Sequence, residues 1–210
     1  MKKSIILMIL IMSSIKLFGQ QSIITRFFQM HPPERIWIIS HPFSARKAMK
    51  ITTIAQNTTA QLKADPMLDG DDNGGQVDAF RHAFWMALLV QQMNWNKAFK
   101  LGKAHEEGNK LDYDRLRTEE GTIPDMMASV MDLKNNEEGI RIGLANMGLS
   151  DTELARIVRD AALAGELYKL KKDSLGNYID YNDRMIPFEE WHGKWHNEKC
   201  LVASNYIFTK

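Results

Sequence analysis

Between Gln76 and Met93 the chain reads QVDAFRHAFWMALLVQQM, and a helix built from it has almost no polar circumference: Val77, Phe80, Ala83, Phe84, Met86, Ala87, Leu88, Leu89 and Val90 surround it. Such a helix has to be covered by other elements, so this segment is expected at the centre of a helical domain. The same stretch carries Asp78, Arg81, His82 and Trp85 at i, i+3, i+4 and i+7, which places all four on one face over about two turns. Burying ionisable groups costs several kcal/mol unless they are paired. The central helix therefore needs polar partners from elsewhere in the chain.

Two further segments offer them. In NKAFKLGKAHEEGNK, Ala98, Leu101, Gly102 and His105 share a face, which points His105 inward, with Glu106 about a hundred degrees round the helix toward the rim. Gly108 and Asn109 are expected to end that helix. Along PDMMASVMDLKNNEEGIRIGLANMG, Ala128, Asp132, Asn135 and Gly139 form a stripe of small and polar residues with Asn136 beside it, and Pro124 is expected in the first turn. Asn135 and Asn136 cost helix propensity, which leaves either a polar seam or a turn between two shorter helices.

The rest of the chain frames this helical core. MKKSIILMILIMSSIKLFGQ, with Lys2 and Lys3 before an apolar run, has the composition of a secretory signal peptide over residues 1–20, with a membrane anchor as the alternative reading. Residues 21–43 hold Pro32, Pro33 and Pro42 and are expected to form an extended arm. The helical domain is expected over 44–210. It starts with an amphipathic helix capped by Ser44, followed by the acidic turn DPMLDGDDNGG, in which Asp72 or Asn73 would cap the central helix. That turn lacks the bidentate Glu a calcium loop needs at its twelfth position. Thr152 is the expected cap of a later amphipathic helix. KKDSLGNYIDYNDRMIP then reads as a small β-hairpin near the C-terminus. The fold class is mainly α, a single multi-helix domain.

Bulk properties narrow the function. Removing residues 1–20 takes away Lys2, Lys3 and Lys16 and turns the formal charge of +1 into −2, without the basic excess of a general nucleic-acid binder. With one cysteine, Cys200, no internal disulfide is available, so stability rests on packing. Asp78 can orient His82 from i−4 and leave its second nitrogen as base or metal ligand, while Arg81 would clamp an anion. Asn109 stands where an HExxH motif requires histidine, which excludes a zincin. His82, His105 and Asp132 would suffice as ligands of a divalent metal, and the same residues with Glu106 could run acid and base chemistry without one. Trp85, Asn135 and Asn136 would line or orient the centre. A rival pair, His192 and His196 in WHGKWHN, lacks a third ligand.

DAFRHAFWMALL, AHEEGN, MDLKNNEEG and YIDYNDRMIP together resemble a largely uncharacterised bacterial family of exported and toxin-associated helical domains, over about residues 70–190. Asp78, Arg81, His82, Trp85, His105, Glu106, Asp132, Asn135, Asn136 and Gly139 occupy its motif positions, and Lys134 stands where many members would carry His. The resemblance implies a shared polar centre and no established activity. The expectation is an extracytoplasmic hydrolase acting on an ester, phosphoester or amide of small-molecule or envelope material, without a membrane span once the leader is removed. A non-catalytic secreted binding module is the alternative, and the family's company adds a toxin-like effector.

Overall fold

The computed structural model describes residues 23–118 and 122–209, and the chain in it is mainly helical. Its elements are α1 (Ile23–Gln29), α2 (Pro32–Ser40), α3 (Pro42–Leu62), α4 (Gln76–Gln92), α5 (Trp95–Asp114), α6 (Met126–Ala145), α7 (Asp151–Ala164), β1 (Tyr168–Leu170), α8 (Phe188–Trp191) and β2 (Leu201–Ala203). Residues 1–20, read above as a leader, lie outside the described residues.

α4 is the hub from His31 onward, packing on α3, α5, α6, α7 and β1. Its apolar residues sit in one core with Ala48, Ile51 and Ala55 of α3, Ala98 and Leu101 of α5, Ile140 and Ile142 of α6, and Leu154 and Val158 of α7. α4 and α6 approach closely because Gly139 and Gly143 lie against the α4 backbone. A methyl on Gly139 would overlap the Ala83 carbonyl oxygen, and one on Gly143 would stand 2.6 Å from the Ala87 oxygen.

Several local expectations are corrected. The arm expected to be extended is helical: the prolines open helices, with Pro32 and Pro33 in the first turn of α2 and Pro42 in that of α3, where a missing N–H costs nothing. α3 accordingly begins before Ser44. α5 does not stop at Gly108 and Asn109 but runs to Asp114. Gly108 is used for close packing, since a side chain there would meet the His31 ring.

α6 is one continuous helix, so Asn135 and Asn136 sit in its interior. Its cap is Asp125, whose carboxylate accepts from Met127 and Ala128 N–H, and Pro124 lies before the cap. α7 is capped by Ser150 in a capping box with Glu153, two residues earlier than Thr152.

The acidic turn serves α4 through Asp69, which accepts from the Gln76 N–H, and not through Asp72 or Asn73. Cations meet its other carboxylates: Lys172 reaches Asp71, Lys63 reaches Asp72 and Arg159 reaches Asp65. Near the C-terminus, β1 and β2 form a two-stranded antiparallel sheet with Tyr168 opposite Ala203 and Leu170 opposite Leu201. The segment between them adds single bridges, Lys172 to Tyr178 and Ile179 to Met185. No described helix is long and apolar enough to cross a membrane.

Candidate functional site

α4 and α6 meet in a polar centre made of three buried residues. One ligand-capable atom from each of Asp78, His82 and Asp132 lies within 4.8 Å of the others. His82 Nε2 is 3.3 Å from Asp132 Oδ1 and 3.6 Å from Asp78 Oδ1. The i, i+4 spacing stacks Asp78 under His82 on α4, and the glycine contact between the helices brings Asp132 across from α6.

Asp78 is held from two further sides. Its Oδ2 accepts from the Gly74 N–H at 2.6 Å, and its Oδ1 receives the Arg81 guanidinium at 2.6 Å. Burial pushes the His82 imidazole well below its ordinary range, and the charges of Arg81 and His105 push the same way, against the nearby Asn136 amide. At neutral pH the ring is uncharged, the form in which imidazole binds metals.

A small cleft opens onto this centre. Asp78, Arg81 and Asp132 reach it; Asn109, Ser129, Tyr178 and Lys199 form other parts of its wall. His82 does not, and at 3% exposure it stands behind the two carboxylates. Around the centre, buried side-chain atoms lack aligned hydrogen-bond partners: both His82 nitrogens, Asn109 Oδ1 and Ser129 Oγ. Buried polar atoms left without partners cost about 1–3 kcal/mol each, so their concentration at a cleft marks a place shaped for a ligand. On the opposite wall, Lys199 is fully buried, 2.6 Å from Asp125 and 3.8 Å above the Tyr178 ring. Burial lowers the Lys199 ammonium from its usual range, with Asp125 working against that fall.

Not all the expected site residues converge. His105 is half-buried and outside the triad: its Nδ1 lies 3.2 Å from Glu34 Oε1, because α2 packs on α5 and lays Glu34 over it. Its ring remains 6.2 Å from that of His82. Burial alone would raise Glu34, but His105 and His31 outweigh it and hold the carboxyl below its ordinary value. Glu106, expected at the rim, is the buried one of the pair and receives the Asn109 amide at 3.0 Å.

Trp85 donates to Thr52 and packs edge-on against His105, tying α4 to α3 and α5. Asn135 pairs with both backbone groups of Tyr168 and so fastens β1 to α6. Asn136 stays with His82, seated where Gly102 leaves room for its amide. Among the described residues the metal-competent grouping is Asp78, His82 and Asp132; His192 and His196 are exposed, with His192 stacked on Phe188.

Reading the sequence for the site passed over Ser129, Asn109, Glu34, Tyr178 and Lys199. Ser129, Asp132 and Asn136 are spaced i, i+3, i+7, a signal present in the sequence, whereas Glu34 and Lys199 arrive through long-range packing alone. No curated protein and no solved structure matches this chain. A family model described as "Domain of unknown function (DUF6973)" matches residues 35–166, from α2 to just beyond α7 and across the whole Asp78, His82 and Asp132 centre, and the chain belongs to that family.

Proposed function

We propose that the chain is an exported hydrolase of an ester, phosphoester or amide, built on an Asp78, His82 and Asp132 centre that takes a divalent cation. The observation that carries this reading is the grouping itself: a neutral imidazole and two carboxylates with ligand atoms within 4.8 Å, opening on a cleft through the carboxylates. One nitrogen and two carboxylate oxygens suit zinc, manganese or iron and leave coordination positions for water and a substrate oxygen.

A cation there would lower the pKa of bound water toward neutrality and polarise the scissile carbonyl or phosphoryl oxygen. Water then adds its hydroxyl to the acyl or phosphoryl centre, and its proton ends on the departing oxygen or nitrogen. Arg81 at the cleft wall faces the charge that builds during attack. Ser129 and Asn109 offer hydrogen bonds to the substrate. The apolar leader-like start supports export.

A second reading has its own observation. His82 is sealed from the cleft, and Asp78 is already engaged by Gly74 and Arg81. The centre would then only pin α4 to α6 inside a binding module. Elemental mass spectrometry of the purified protein separates the two when run beside His82→Ala, Asp132→Asn and, as control, His105→Gln. Near-stoichiometric metal that is lost in the first two variants and kept in the third supports the hydrolase, and a screen of phosphoesters, esters and amides follows. Metal absent from the wild type even after incubation with zinc, manganese or iron salts would sink the cation centre and favour the pinning role.

A further inference from the structure

The corner where α2 turns into α3 exposes apolar side chains that the core does not use. Ile36 and Ile39, one turn apart on α2, are 65% and 70% exposed, and Phe43 in the first turn of α3 is 92% exposed. Their neighbours Trp37 and Ala45 fill the inward face, so the outward set is not an unfinished core. Phe43 also heads a stripe on α3 whose next members, at i+3, i+4 and i+7, are Arg46, Lys47 and Lys50, all exposed.

The charge here is one-sided. From Arg35 to Lys50 the chain carries four cations, Arg35, Arg46, Lys47 and Lys50, and no Asp or Glu. The patch is completed from α5: the Trp37 indole donates to the Lys97 carbonyl, which brings the first turn of α5 and the exposed Trp95 to the same end of the bundle.

We propose that this corner is a peripheral docking surface for an anionic lipid bilayer. Single projecting apolar side chains ringed by lysine and arginine are what an interfacial contact requires: the tips enter the headgroup boundary, the cations meet lipid phosphates, and the aliphatic stems snorkel between them. A second copy of this chain is a poor occupant, since joining two such faces would oppose their cations. A folded protein partner would need a pocket to receive Phe43, whereas a bilayer accepts it without one. No described helix can cross a membrane, so the contact lies on the surface.

Docking leaves the cleft free. Lys47 reaches the Gln92 carbonyl at the last residue of α4, while Asp78 lies fourteen residues earlier, about 20 Å along the helix axis. The protein would be held at the membrane with its polar centre directed at material off that surface. This placement stands whether or not the centre is catalytic.

Vesicle co-sedimentation tests it with the full chain as purified, its N-terminus read by mass spectrometry so that a retained leader is recognised. Wild type is compared with Ile39→Ser/Phe43→Ser and with Lys47→Glu/Lys50→Glu on vesicles of phosphatidylcholine alone and of phosphatidylcholine with phosphatidylglycerol. All four positions are exposed, so both variants should keep the wild-type denaturation midpoint. The expected result is binding to anionic vesicles only, weakened about tenfold by either double variant and released by salt above about 0.5 M. Undiminished binding by both variants, or no binding of the wild type to anionic vesicles, overturns the proposal. So does tighter binding to an acidic protein or to single-stranded DNA that survives Ile39→Ser/Phe43→Ser, since charge alone would then explain the surface.

Discussion

Gly139→Ala is the substitution for which the structure yields the least ambiguous sign. On an exposed helix the change would stabilise by about 1 kcal/mol, because glycine is the poorer helix former. At position 139 the added methyl would overlap the Ala83 carbonyl oxygen and stand 2.7 Å from the Ala83 carbonyl carbon and Cα, all backbone atoms of the central helix. A backbone cannot rotate away as a side chain can, so α6 must withdraw by about 1 Å to restore ordinary contact. Overpacking of this kind costs about 3 kcal/mol at the upper end of its usual range, which leaves a net loss of about 2 kcal/mol. For a domain of this size that is a fall of about 4–8 °C in Tm. The same withdrawal widens the 3.3 Å separation of His82 and Asp132, so any bound cation should be lost with it. Urea denaturation and calorimetry check the first effect and elemental analysis the second. Gly148→Ala, at a positive φ with nothing within 4 Å, should cost only about 1 kcal/mol and leave the centre alone. A Gly139→Ala protein as stable as wild type, or more so, would refute the account of how α4 and α6 are joined.

Lys199→Met should destabilise by about 3–5 kcal/mol, because it strands the buried Asp125 carboxylate that also caps α6; thermal unfolding reads it, and a loss below about 1 kcal/mol would mean that Asp125 finds another partner. Ser150→Ala, which removes the exposed capping box of α7, should cost about 1 kcal/mol by the same measurement. The depressed Glu34 contributes stability that is present above its unfolded pKa near 4.5 and is lost as pH falls through its lower folded value. Glu34→Gln should therefore be less stable than wild type at pH 7, with the difference shrinking below about pH 4. A gap between the two proteins that stays constant with pH would rule out the His105 and His31 pairing as its source.

The hub role of α4 was legible because burial on all sides leaves a one-dimensional signature, a helix with no polar face, and the core around Phe80, Phe84 and Leu89 has that origin. The proline-rich arm departs from the extended expectation for a reason equally local. A proline forbids helix before it and permits helix after it, so His31-Pro32-Pro33 and His41-Pro42 are helix starts when the following residues can bury one face. Trp37 and Ala45 supply that face, and only the tertiary partner on α5 reveals it. Gly108 shows the complementary error. Read alone it stops a helix, but in the fold it makes room for the His31 ring, and packing overrides propensity.

The candidate site divides along the same line. Asp78 with His82 follows from helical spacing, and Asp132 from the stripe on which Gly139 sits, so two helix faces already contained the triad. His105 had the same inward spacing but did not join, because a face that points inward can be met by any neighbour, and here the neighbour is Glu34 of α2. Spacing names the residues a helix presents; it does not name the helix they are presented to. An arrangement that rests on one helix, such as Asp78 stacked beside His82, could be read from sequence, whereas one that needs a second wall could not. The wall made by Ser129, Asn109, Tyr178 and Lys199 comes from four separate parts of the chain, and Tyr178 and Lys199 lie beyond the segment that the family model matches. If the centre is catalytic, that far wall is where substrate preference should vary while the triad stays fixed. Exchanging Tyr178 for Phe should then shift which compound is hydrolysed best without altering metal content, and a shift in metal content would mean that the wall and the triad are one unit.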